Sequence, residues 1–150
     1  MRFWLVGFFA LLVLLAMLAV PFRNPFVIRN IENNFPTDRI NDSQIEIRND
    51  SIIIHIKNAS VSRYSNTSSM NPVLDENANG IEVIPASPED IHVGDIVTYE
   101  QDSMLIVHRV ISIGNDANGK YFIVKGDSSE EADGKIRFEQ IKYVLAGILY

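Results

Sequence analysis

Hydrophobic positions fall along this chain in two distinct patterns. From Phe3 to Val20 there are 18 uncharged residues, and only Gly7 among them lies outside the apolar set. As a helix the run spans about 27 Å, close to the hydrocarbon core of a bilayer. A helix apolar on every side has nothing to pack against in so small a domain, so residues 1–20 are predicted to form a transmembrane anchor. The run exceeds the apolar stretch of an ordinary cleaved leader, and no Ala-x-Ala precedes Pro21, so retention is expected over removal.

From residue 45 onward the pattern changes to short runs rich in Ile and Val with a period near two. Strands are predicted over 45–48, 51–57, 60–64, 81–84, 95–100, 105–113, 121–125 and 143–150. Between them stand turn signals: Asn79-Gly80, Val93-Gly94-Asp95, Asn115 to Gly119, and Ala132-Asp133-Gly134. Asn118-Gly119 reads as a hairpin turn, since Asn and Gly both tolerate positive φ. Helical turns are expected only over 70–74 and 139–142. Residues 21–44 carry Pro21, Pro25 and Pro36 and no sustained period, and are predicted to be a stalk. The fold class is therefore all-β, mostly antiparallel, with one N-terminal transmembrane helix. The division is anchor 1–20, linker 21–44 and a β-rich domain 45–150.

Charge sharpens this division. Residues 1–44 hold four Arg against three acids, whereas residues 45–150 hold nine basic against sixteen acidic residues. A net charge of −6 argues against nucleic acid as a partner, since phosphate contacts need a basic face. The absence of cysteine removes disulfides, thiol nucleophiles and Cys-ligated metals. Arg2 lies before the apolar run, and Arg23, Arg29 and Glu32 after it, so charge alone leaves the membrane orientation open. Sequons at Asn41, Asn49, Asn58 and Asn66 suit an exported surface in a cell that glycosylates, and a glycan on Asn66 would crowd Ser69.

Candidate chemistry concentrates in three places. Ser69, in Thr67-Ser68-Ser69-Met70-Asn71-Pro72, leaves a predicted strand for solvent, a position open to an attacking hydroxyl. A serine requires a base, and the chain has three histidines: His55, His92 and His108. Alternation groups His108 with Ile106 and Val110 on one strand face, opposite Val107, Arg109 and Ile111, which would make it a partly desolvated base. Asp127 and Asp133 both follow the strand 121–125. Either is read as a turn former or as the carboxylate that orients an imidazole.

These residues resemble a family. Ser69-Met70-Asn71-Pro72 is similar to the Ser-Met-x-Pro box of type I signal peptidases. Gly94-Asp95-Ile96-Val97, Ile106-Val107-His108-Arg109-Val110 and Lys125-Gly126-Asp127 with Asp133 resemble its later blocks, in the same order. His108-Arg109 resembles the archaeal and endoplasmic-reticulum branch, which uses histidine where most bacterial enzymes use lysine. The chain departs from the pattern at Ser68, Val73, Ser128 and Ser129.

The resemblance implies a signal-peptidase-like β domain and a membrane-bound serine endopeptidase that removes signal peptides. In it Ser69 is the nucleophile and His108 the general base. Asp133 or Asp127 supports the base, with Asp133 ranked first and a pairing of both left open. The Ser69 N–H and the Ser68 hydroxyl would meet the oxyanion. It implies no metal or organic cofactor. It implies as partners signal-peptide-bearing preproteins, the lipid bilayer and accessory membrane subunits, with the catalytic domain on the exported side of the cell or endoplasmic-reticulum membrane. Two other classes stay open: an inactive membrane-anchored β domain that works as a binding or assembly partner, and a self-cleaving serine protease of related fold.

Overall fold

The computed structural model of the chain describes residues 35–150. The predicted anchor and residues 21–34 of the predicted stalk lie outside them. No helix among the described residues is long and apolar enough to cross a membrane.

The described chain is all-β. Nine strands follow in order: β1 (Ile45–Ile47), β2 (Ile52–Ile54), β3 (Ala59–Arg63), β4 (Asn79–Val83), β5 (Ile96–Gln101), β6 (Met104–Asp116), β7 (Gly119–Lys125), β8 (Gly134–Ile136) and β9 (Ile141–Leu149). β1 and β2 make a separate two-stranded hairpin. The other seven form one sheet in the order β3-β4-β9-β5-β6-β7-β8, and every neighbouring pair is antiparallel. The turns within 138–140 and 88–90 are single 3-10 turns.

The meander β5–β8 is built by its turns. Asp102 and Ser103 both take positive φ, 51° and 63°, and join the paired residues Gln101 and Met104 in a tight two-residue connection. Ala117 and Asn118 connect β6 to β7, with Gly119 at φ 94° and the Asn118 N–H donated to Asp116 Oδ1 at 2.9 Å. The hairpin turn expected at Asn118-Gly119 is present, with Gly119 rather than Asn118 at positive φ. A further difference from expectation is β8: Asp133-Gly134 ends in a three-residue strand paired with β7. The turn signal there is real, with Gly134 at φ 98°, but it opens a strand.

β5 is buried on both faces, so the sheet carries a core on each side. Val97 and Tyr99 join Val110, Phe122, Val124 and Val144 in one cluster. Ile96 joins Met70, Leu74, Ala78 and Leu145 in the other. The second cluster forms because the loop after β3 folds back and inserts Met70 and Leu74. The helical turn expected at 70–74 forms as a single turn, with the Leu74 N–H bonded to Met70 O at 3.0 Å. Part of the predicted stalk is also docked on the domain. The Thr37 N–H and Arg39 guanidinium donate to Asp95, whose carboxylate is 0% exposed, at 2.7 and 2.6 Å.

Candidate active site

β6 supplies His108, the candidate base. His108 lies opposite Val97, and Ile106 opposite Tyr99. The pleat therefore turns His108 toward the Tyr99 side of the sheet, where it is 9% exposed. This is the face that strand alternation assigns it. Its Nδ1 contacts Asp133 Oδ2 in an ion-pair geometry. Asp133 is held where β8 begins by its own N–H, bonded to Val124 O at 2.9 Å. The same Oδ2 accepts the Tyr99 hydroxyl at 2.8 Å. Burial, then the hydrogen bond to Asp133, pushes the Tyr99 phenol well above its ordinary range, which keeps it a donor.

Asp127 does not share in this. It takes Arg109 instead, through Nε at 2.7 Å and the terminal nitrogen at 2.6 Å. The other Arg109 nitrogen donates to Gly94 O at 2.8 Å. The two candidate aspartates thus serve adjacent residues on opposite faces of one strand.

Ser69 is half-buried on the loop behind β3. Met70, 4% exposed, pins the loop into the second core. The 126–129 turn clamps it from the other side: Ser128 N–H donates to Ser69 O at 3.0 Å, and Ser128 Oγ donates to Ser68 O at 2.5 Å. Gly126 makes the close approach workable. A Cβ there would fall 2.7 Å from Ser69 O and 3.0 Å from His108 Nε2. One small buried glycine therefore marks the point where the Ser69 backbone and the open Nε2 of His108 converge. The Ser69 hydroxyl itself hydrogen-bonds to Thr67 Oγ1 at 3.2 Å. Ser68 is exposed and takes φ 59°, a left-handed conformation that turns the chain into Ser69.

Ser69 and His108 open onto a cleft of about 440 Å3. One wall is the β6 segment Met104 to His108. It pairs with β5, whereas pairing with β7 begins only at Arg109. Residues 104–108 are therefore a free strand edge that ends at His108. The other wall is the chain from Ser62 to Met70.

The floor holds a carboxylate that sequence reasoning missed. Glu82 is 1% exposed and accepts Ser62 Oγ at 2.5 Å, Thr98 Oγ1 at 2.6 Å and Tyr64 Oη at 3.4 Å. Burial, then the Glu82 charge, pushes the Tyr64 phenol up. Gly80 leaves room for Tyr64, because a Cβ there would collide with the Tyr64 hydroxyl. In sequence, an acid between Ile81 and Val83 reads as the solvent side of an alternating strand, and nothing local says otherwise. Tyr99 was equally silent.

His55 pairs with Glu46 on the exposed hairpin, and His92 lies beside Asp95, so neither reaches the cleft. Among the described residues no group of three or more His, Asp or Glu side chains is arranged to hold a metal ion. Compared with known proteins, the chain matches no family model, no curated protein and no solved structure.

Proposed function

We propose that this chain is a membrane-anchored serine endopeptidase of the serine–histidine signal-peptidase kind, cutting signal peptides from exported preproteins. The observation that carries the reading is the divided imidazole of His108. Nδ1 is committed to Asp133, while Nε2 is open beside the Ser69 backbone in a cleft with a free strand edge.

In this mechanism an extended preprotein segment adds to the β6 edge at 104–108, with backbone hydrogen bonds giving affinity and alternate side chains entering the cleft. The Ser69 hydroxyl leaves Thr67 for His108 Nε2, and tightening of such a bond on substrate binding is common to resting active sites. Ser69 Oγ attacks the scissile carbonyl as His108 takes its proton. His108 then returns the proton to the leaving amine, and water releases the acyl group by the same route. Asp133 fixes the tautomer with N–H on Nδ1 and stabilises the imidazolium. The Ser69 N–H, with the Ser68 hydroxyl beside it, is assigned to the oxyanion. A correctly placed donor there contributes roughly 10²–10³ in rate. The membrane tether raises the local concentration of substrates that emerge at the bilayer.

The test is cleavage of a test preprotein by the detergent-purified full chain, beside Ser69→Ala and His108→Ala. Loss of cleavage in both folded variants is the expected result. A wild type that stays inactive in native membranes overturns the peptidase and gives the lead to an anchored binding domain.

A further inference from the structure

Two segments far apart in sequence close over one buried carboxylate. The oxygens of Asp95 take the Thr37 N–H at 2.7 Å, one terminal nitrogen of Arg39 at 2.6 Å and the His92 N–H at 2.9 Å. The same Arg39 nitrogen also donates to Asp90 O at 2.6 Å. This ion pair is a poor source of stability. Both side chains are largely buried, and the desolvation of two buried charges offsets most of their attraction. Arg39 Nε is buried as well and has no partner among the described residues. What such a pair supplies is direction: it fixes where residues 37–39 cross the turn that leads into β5.

From Asp95 the contacts run unbroken to Ser69. The Gly94 N–H bonds Val110 O and the Val110 N–H bonds Asp95 O, both at 2.8 Å, so the turn is fixed to β6 beside Arg109. Arg109 holds Gly94 O with one nitrogen and Asp127 with the other two. Asp127 stands between Gly126, where Ser69 O and His108 Nε2 meet, and Ser128, whose N–H and hydroxyl hold Ser69 O and Ser68 O. Each link is a hydrogen bond or a stretch of one to two residues, and hydrogen-bonded networks of this kind carry coupling between separated positions.

We infer that Arg39 is a positioning residue for Ser69: residues 36–39, in the predicted linker, are a strap that sets the nucleophile loop through Asp95, Arg109 and Asp127. The inference rests on the peptidase reading for the reaction it tunes. None of residues 36–39 lines the cleft, so turnover, and not substrate binding, is what the strap controls.

The experiment compares the full chain in detergent with Arg39→Met and Arg39→Lys by two readouts. One is hydrogen exchange of the 126–129 amides, which include the Ser128 N–H that clamps Ser69 O. The other is steady-state cleavage of a model preprotein. Arg39→Met should speed that exchange and lower kcat, each by about 10-fold, the worth of one charge-assisted hydrogen bond. KM should stay within about 2-fold, and so should exchange at the far end of the β6–β7 hairpin, where Asn115 pairs with Lys120. Arg39→Lys should restore most of both, because a single terminal nitrogen makes both contacts of the native side chain. On an Asp127→Asn background the Arg39→Met effects should shrink to about 2-fold or less, since the route is already cut. If Arg39→Met fails to fold, Arg39→Gln carries the same test.

A folded Arg39→Met chain with a lowered melting temperature but native exchange at 126–129 and native kcat overturns the strap and leaves the peptidase standing. A change in KM alone overturns it too, as does an Arg39→Met effect that persists in full on the Asp127→Asn background. Faster exchange at 126–129 in Arg39→Met, recovered in Arg39→Lys, beside a wild type that cuts nothing, supports the strap and removes the peptidase.

Discussion

His108 and Arg109 are neighbours in β6, and each takes one aspartate from the chain that follows β7. The two pairs look alike on paper, a cationic or protonatable side chain against a carboxylate. They differ in what is left over. Arg109 spends its nitrogens on Asp127 and on Gly94 O, and a guanidinium neither gains nor gives a proton near neutral pH. That pair joins the end of β7 to the turn before β5 and braces the loop that clamps Ser69. His108 spends one nitrogen on Asp133 and keeps the other in the cleft. Availability, more than the strength of the pair, separates a brace from a candidate base.

Asp133→Asn should break the comparison most severely. An amide can hold the ring but cannot stabilise an imidazolium, so turnover should fall by about 10³–10⁴. The chain should stay folded, and a fall under tenfold with a normal melt would remove Asp133 from the mechanism. Asp127→Asn should act on the other axis. It strips the carboxylate from a pair whose side chains are 15% and 16% exposed. Urea unfolding should show a loss of about 2–3 kcal/mol, and replacing both partners with Met and Leu should recover much of it. Equal recovery of turnover by an apolar pair at 108 and 133 would abolish the distinction.

Tyr99→Phe sharpens it further. With one donor fewer on Asp133, turnover should drop roughly tenfold, as for one lost hydrogen bond of about 1.4 kcal/mol. The stability profile should change as well. The folded phenol is raised above the unfolded value, so its contribution is complete below pH 10 and is lost as pH rises toward the folded pKa. The phenylalanine variant should therefore lose stability less steeply above pH 10 in equilibrium unfolding. The smallest effect belongs to Asp116→Asn, far from the site. Arg137 first, then the Asn118 N–H and Lys135, hold that exposed carboxyl at about 2. Its contribution is present above the ordinary carboxylate range and vanishes as pH falls through about 2. The melting curves of variant and wild type should thus differ slightly near neutrality and merge in strong acid.

Strand alternation was enough to place most strands and to assign His108 and Arg109 to opposite faces, because a pleat of period two leaves no freedom there. It could not divide Asp127 from Asp133. Both follow β7 in a turn-forming stretch, and only the pairing of β8 with β7 decides which one reaches the imidazole. Glu82 escaped for a related reason. A single acid in an apolar alternation looks solvent-facing until the loop carrying Tyr64 and Met70 closes over it. Docking of Thr37 and Arg39 on Asp95 was also invisible, since a proline-punctuated stretch carries no periodic signal for where it will land.

The last of the nine described strands, β9, lies between β4 and β5. During synthesis β3 with β4, and β5 through β8, can each pair locally as they emerge. They become one sheet only when β9 arrives and inserts between them. The cleft draws Ser62, Tyr64 and Glu82 from the first half and Thr98 and His108 from the second. A half-made molecule therefore presents two open edges to its neighbours and lacks an assembled cleft. Such an arrangement makes the nascent chain a client for protection from aggregation, and it leaves the cleft unassembled until β9 is in place.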